Sequence, residues 1–74
     1  MRPEKHAIRN LARNLREYRL LRGYSQEELA YQTDTDRTYI SDIERGLRNP
    51  SLKTIARLAH VLEVPIGALC DPDR

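Results

Sequence analysis

Ser25-Gln26-Glu27-Glu28-Leu29-Ala30-Tyr31-Gln32-Thr33-Asp34-Thr35-Asp36-Arg37-Thr38-Tyr39-Ile40-Ser41-Asp42-Ile43-Glu44-Arg45-Gly46 is the stretch on which the fold turns. Ser25 with Glu28 three residues on makes a capping box, in which the hydroxyl accepts from an orphan N–H of the first helical turn. A helix is expected from Gln26 to about Thr33, burying Leu29 and Ala30, with Tyr24 stapled onto Leu29. Thr33-Asp34-Thr35 leaves room only for a tight connection. Asp36 (or Thr35) then caps a second helix, which continues to about Arg45 before Gly46 stops it. The centre of the chain is therefore two short helices meeting at a sharp corner.

Upstream, Ile8, Leu11, Ala12, Leu15, Tyr18 and Arg22 recur at steps of three and four, predicting a helix from about Lys5 to Arg22. Gly23 suits the left-handed residue that closes it. Downstream, Ser51 after Pro50 caps a fourth helix whose apolar face is Leu52, Ile55, Ala56, Ala59 and Leu62. Pro65 opens a short fifth helix with Ile66 and Leu69 turned inward, and Asp71-Pro72 ends the folded part. No stretch alternates with period two, so no strand is expected. The chain reads as an all-α, five-helix, single domain over residues 1–74, with short flexible ends at 1–5 and 71–74.

A domain of 74 residues has a modest core, and chains of this size gain stability from crosslinks, metals or self-association. Cys70 is the one cysteine, so no disulfide can form within the chain, and it is expected to pack as a small apolar residue. One thiol and two scattered histidines, His6 and His60, make no metal-ligand pattern, and no cofactor is expected. The lone thiol and the absence of an apolar leader or spanning segment point to the cytoplasm and away from any membrane. Self-association remains. Val61, Val64, Ile66, Leu69 and Cys70 fall within ten residues, more apolar side chains than so small a core can bury. Val61, Val64, Ile66 and Leu69 are therefore expected at a homodimer interface, where a two-fold contact buries one patch twice.

The net charge of +2 is unevenly distributed. Residues 1–24 hold seven basic and two acidic groups, residues 25–49 three and six, and residues 50–74 three of each. Attraction to a polyanion must come from placed groups, not bulk charge. On the third helix, Ile40 and Ile43 face inward while Arg37, Thr38, Ser41 and Arg45 share the opposite face. Long cationic and short hydroxyl side chains can reach base edges from a helix in the major groove. The same residues can equally make an ordinary solvated face. Arg19 sits within the first helix's apolar stripe and Glu44 on the inward face of the third. Two opposite charges on buried faces predict an ion pair. Nothing resembles a nucleophile–base arrangement or a small-molecule pocket, so an enzyme is not expected.

Ser25-Gln26-Glu27-Glu28-Leu29-Ala30, Ile40-Ser41-Asp42-Ile43-Glu44-Arg45-Gly46 and Arg48-Asn49-Pro50-Ser51, in this order, resemble the lambda-repressor-like (Cro-type, XRE) helix-turn-helix family. The likeness covers roughly residues 8–70, with the helix-turn-helix at about 25–45. Leu29-Ala30-Tyr31 with Asp36-Arg37-Thr38-Tyr39-Ile40-Ser41 is also similar to the small restriction–modification controller proteins. The resemblance implies a transcriptional regulator that binds double-stranded DNA as a homodimer on a pseudo-palindrome. It assigns base reading to Arg37, Thr38 and Ser41. Gln26, Tyr39, Arg45, Arg48 and Asn49 would hold the DNA backbone. Asp42, a departure from the family, is a fourth base-reading candidate: it faces the groove, where it must accept from a cytosine, pair with Arg45 or repel phosphate. Asp34 replaces the family's usual turn glycine. The alternative is a protein-interaction or antitoxin-like adaptor, favoured by the acidic middle third and by Leu20, Leu21 and Val61 off their stripes. Arg9, Arg13 and Arg16 read as a solvated basic stripe.

Overall fold

The computed structural model describes residues 3–72, which form α1 (Pro3–Leu21), α2 (Gln26–Gln32), α3 (Arg37–Glu44), α4 (Leu52–Leu62) and α5 (Ile66–Cys70), with no strand among the described residues. Helix α1 starts earlier than its periodicity suggested. Pro3 tolerates a first-turn position because its missing N–H has no intrahelical acceptor there. Residues 3–5, expected to be a loose end, are thus helical. The outermost residues of both expected flexible ends, 1, 2, 73 and 74, lie outside the described residues.

Each corner is written in local chemistry. Ser25 Oγ accepts from Glu28 N–H at 3.0 Å, Asp36 Oδ1 from Tyr39 N–H at 2.8 Å and Ser51 Oγ from Thr54 N–H at 3.3 Å. These satisfy donors that the first turn leaves without a partner. Four corners also close with the same pair of backbone bonds. After α1, the Gly23 N–H donates to Leu20 O and the Tyr24 N–H to Arg19 O, with Gly23 at φ 74°. Gly46 does likewise after α3. Asp34 (φ 56°) and Glu63 (φ 59°) hold the left-handed position after α2 and α4. Asp pays little there because a short polar side chain tolerates that region, whereas the non-glycine stop at Glu63 has no local sequence signal.

Leu11, Leu15, Leu29, Ala30, Ile40, Ile43, Leu58, Ala59, Leu62 and Leu69 form one core, drawn from all five helices. Three expectations change here. Leu52, placed on α4's apolar face, is 68% exposed, while Leu58 is fully buried. Leu52 is the first residue of its helix and projects beyond the core's edge. Leu69, expected at a self-association surface, is 0% exposed because α5 docks on α1 and drives it into the protomer's own core. It has no surface to offer a second chain. Cys70, expected to pack inside, is exposed.

Asn14 explains why a five-residue helix stays docked. It is fully buried on α1, and its amide nitrogen lies 3.3, 3.0 and 2.8 Å from the carbonyls of Ala68, Leu69 and Asp71. So short a helix gains little from its own hydrogen bonds and depends on tertiary anchoring. Asn14→Leu strips the carbonyls of their donor, and the expected destabilisation is roughly 1–3 kcal/mol in denaturant melts. A melt superimposable on wild type would show that α5 is held by Leu69 alone.

Candidate nucleic-acid interface

The outer face of α3 is set by its inner one. Ile40 and Ile43 are fully buried, so the intervening positions must turn outward. Arg37, Thr38 and Arg45 are exposed, and Ser41 and Asp42 are partly so. From Arg37 to Arg45 the face runs about 12 Å at the helical rise. Arg48 and Asn49 follow in the α3–α4 loop, both exposed, and Gln26 begins α2. The residues singled out as DNA contacts thus fall on α3 and its C-cap, the following loop and the first position of α2.

The orientation of that surface is held from behind by the pair read from two misplaced charges. Arg19 Nε lies 2.6 Å from Glu44 Oε2 and its Nη2 3.0 Å from Oε1, a bidentate fork. Only 10% of the Arg19 side chain and 4% of that of Glu44 are exposed. A third guanidinium N–H reaches Tyr24 O at 2.9 Å, and Gln26 Nε2 donates to Glu44 Oε1 at 3.1 Å. Glu44 thus gathers α1, the start of α2 and the end of α3 at one point. A carboxamide nitrogen has two hydrogens, so Gln26 keeps a second donor beyond this bond.

Asp42 stands between two cations, 4.0 Å from Arg45 Nη1 and 3.8 Å from Arg48 Nε. The Arg48 guanidinium also lies over the Tyr39 ring, 4.9 Å from its centre. This stack and the Asp42–Arg48 approach hold a loop arginine toward the helix, and neither was visible in the sequence. Thr33, which ends α2, is buried, with its hydroxyl donating to Leu29 O at 2.7 Å; Arg57 of α4 reaches its carbonyl at 3.4 Å. The corner between α2 and α3 is thereby tied to α4.

Around the α4–α5 junction, Val61 and Val64 are half-buried against the core and Ile66 is 39% exposed. These three keep apolar surface after Leu69 is lost to the interior. Arg22 of α1 pairs with Glu63 beside them. Arg13, read as part of a solvated stripe, instead donates to the carbonyls of Asp71 and Pro72 at 3.0 and 3.3 Å.

Comparison with known proteins agrees with this geometry. A helix-turn-helix family (HTH_3) matches residues 15–69. The chain is 44% identical over 71 residues to a hypothetical transcription factor of Neisseria meningitidis, covering 95% of this chain and 67% of that one. For control protein C.BamHI of Bacillus amyloliquefaciens the identity is 53% over 47 residues, and the match spans 64% of this chain and 58% of the relative. The chain thus spans about two thirds or less of the length of these curated relatives. Among solved structures, the restriction–modification controller protein C.AhdI of Aeromonas hydrophila superimposes with a TM-score of 0.85 at 37% identity, covering 92% of this chain and 99% of that one. The family match runs from the second half of α1 into α5, a span that contains both Arg19 and Glu44. The chain belongs to the HTH_3 helix-turn-helix family, of the Cro or XRE type.

Proposed function

We propose that this chain is a cytoplasmic, sequence-specific regulator of transcription that binds double-stranded DNA as a homodimer, with α3 in the major groove. The observation that carries the reading is the outward face of α3, which presents Arg37, Thr38 and Ser41 opposite buried Ile40 and Ile43. The relatives' names, transcription factor and control protein, support it. Arg37 and Thr38 lie in the first turn of α3, where a helix entering the groove meets base edges. Ser41 lies one turn further, beside Asp42. Gln26, Tyr39, Arg45, Arg48 and Asn49 hold phosphates on either side and fix the register without reading sequence. Asp42 shapes this surface either by accepting from a cytosine or by orienting Arg45 and Arg48.

Arg37→Ala tests base reading. It is expected to weaken the specific site by roughly 1–3 kcal/mol and to relax preference at one base pair, measured by titration against single-base variants. Equal losses on specific and random duplexes would reduce Arg37 to a phosphate contact. Arg48→Ala tests the backbone role. It should weaken both kinds of duplex alike and lower the magnitude of the log–log salt slope by about one. An unchanged slope removes Arg48 from the interface.

The dimer joins through Val61, Val64 and Ile66. A two-fold axis there presents both copies of α3 toward one side of the duplex, suited to half-sites about 34–36 Å apart. One α3 touches few base pairs, so two copies supply the specificity that one lacks.

A further inference from the structure

We propose that the groove between α1 and the end of α3 docks an acidic amphipathic helix of a partner protein. The groove has a volume of about 810 Å³ and is lined by Lys5, Ile8, Arg9, Arg16 and Leu20 of α1 and by Arg45 at the end of α3. Lys5, Arg9, Arg13, Arg16 and Leu20 follow one another at steps of four, four, three and four, which puts them on one face of a helix. From Lys5 to Leu20 that face extends about 22 Å. Lys5, Arg9, Arg16 and Arg45 are exposed, as is Leu20 at 57%. Of the two acidic residues lining the groove, Glu44 is already engaged by Arg19 and Gln26. Arg13 is held by the carbonyls of Asp71 and Pro72 and so forms a fixed wall.

Cations spread over this length exceed what a single small anion can meet. A nucleic-acid backbone would satisfy the rim but would leave Ile8 and Leu20 facing phosphate. A helix with leucines on one face and carboxylates flanking them satisfies both, burying the apolar strip while its charges meet the guanidinium groups. Arg45 adds a consequence that rests on the DNA-binding reading above. It borders the groove and also serves the phosphate contact, so an occupant that engages Arg45 lowers affinity for DNA, and DNA lowers affinity for the occupant by the same factor.

The test uses the whole 74-residue chain and a synthetic helical peptide of about 16 residues, long enough to span the groove, with leucines at helical spacing and glutamates beside them. Amide chemical-shift mapping without DNA is expected to place the peptide along Ile8, Arg16 and Leu20. The double variant Arg9→Glu/Arg16→Glu should weaken the peptide by about tenfold or more and leave specific duplex binding unchanged. Leu20→Asp, at an exposed site, should weaken it as well. Three results would overturn the proposal: no shifts along α1; a polyglutamate of equal length binding as tightly, which marks a merely cationic surface; or duplex affinity falling with the double variant, which marks a DNA-backbone contact. Peptide binding that leaves duplex affinity unaffected overturns the competition through Arg45 alone. Failure of duplex binding with peptide docking intact would instead count against the DNA reading.

Discussion

Glu44→Ala should destabilise the fold by roughly 3–5 kcal/mol, because Arg19 is then left buried with its charge unmatched. Glu44 takes two bonds from the guanidinium and one from Gln26, so its loss also frees the start of α2 from the end of α3. For a domain of this size that is a large share of the total stability. Replacing Arg19 and Glu44 together with apolar residues of similar volume should recover much of the loss, since the desolvation of two charges disappears with them. Urea melts of the single and double variants make the comparison. A Glu44→Ala protein as stable as wild type would show that the pair holds nothing together.

The second large effect concerns association. Ile66→Asp places a carboxylate in the proposed interface at a position that is already 39% exposed, so the protomer should keep its fold. The expected result is a monomer at tens of micromolar by sedimentation equilibrium, a concentration at which wild type is expected to be dimeric. Binding to a two-half-site duplex should fall on the order of a hundredfold or more, since the second α3 no longer arrives tethered to the first. Leu69→Asp does not serve this purpose, because Leu69 is a core residue and the charge would unfold the domain. An Ile66→Asp variant that still sediments as a dimer would move the interface to another face.

The distribution of what was legible in the sequence follows the range of the interactions. Ser25, Asp36 and Ser51 act within three residues of themselves, so the starts of three helices could be read directly. Gly23 and Gly46 mark two ends for the same reason. The Arg19–Glu44 pair was legible although its members are 25 residues apart. Each is a charge on a face that must be buried, and only the other can answer it. Asn14 carries a subtler version of that signal, a polar residue between Leu11 and Leu15, yet its acceptors are carbonyls of α5, which leave no trace in side-chain pattern. The fate of the C-terminal apolar run was likewise non-local. Ile66 and Leu69 both read as turned inward and, with Val61 and Val64, as interface residues; the docking of α5 on α1 puts Leu69 in the core and leaves Ile66 39% exposed. On α3, the alternation of Ile40 and Ile43 with Arg37, Thr38 and Ser41 fixed which face is outward, whereas the Asp42–Arg48 approach and the Tyr39–Arg48 stack depend on how the following loop folds back.

The measurement that bears most directly on the proposed function is selection of bound duplexes from a random library by the 74-residue chain at physiological salt. The account predicts enrichment of one pseudo-palindromic sequence with half-sites about 10 base pairs apart centre to centre, occupied by two chains, and loss of preference within each half-site on Arg37→Ala. Recovery of a pool no different from the input, or of an asymmetric site bound by a single chain, would contradict it.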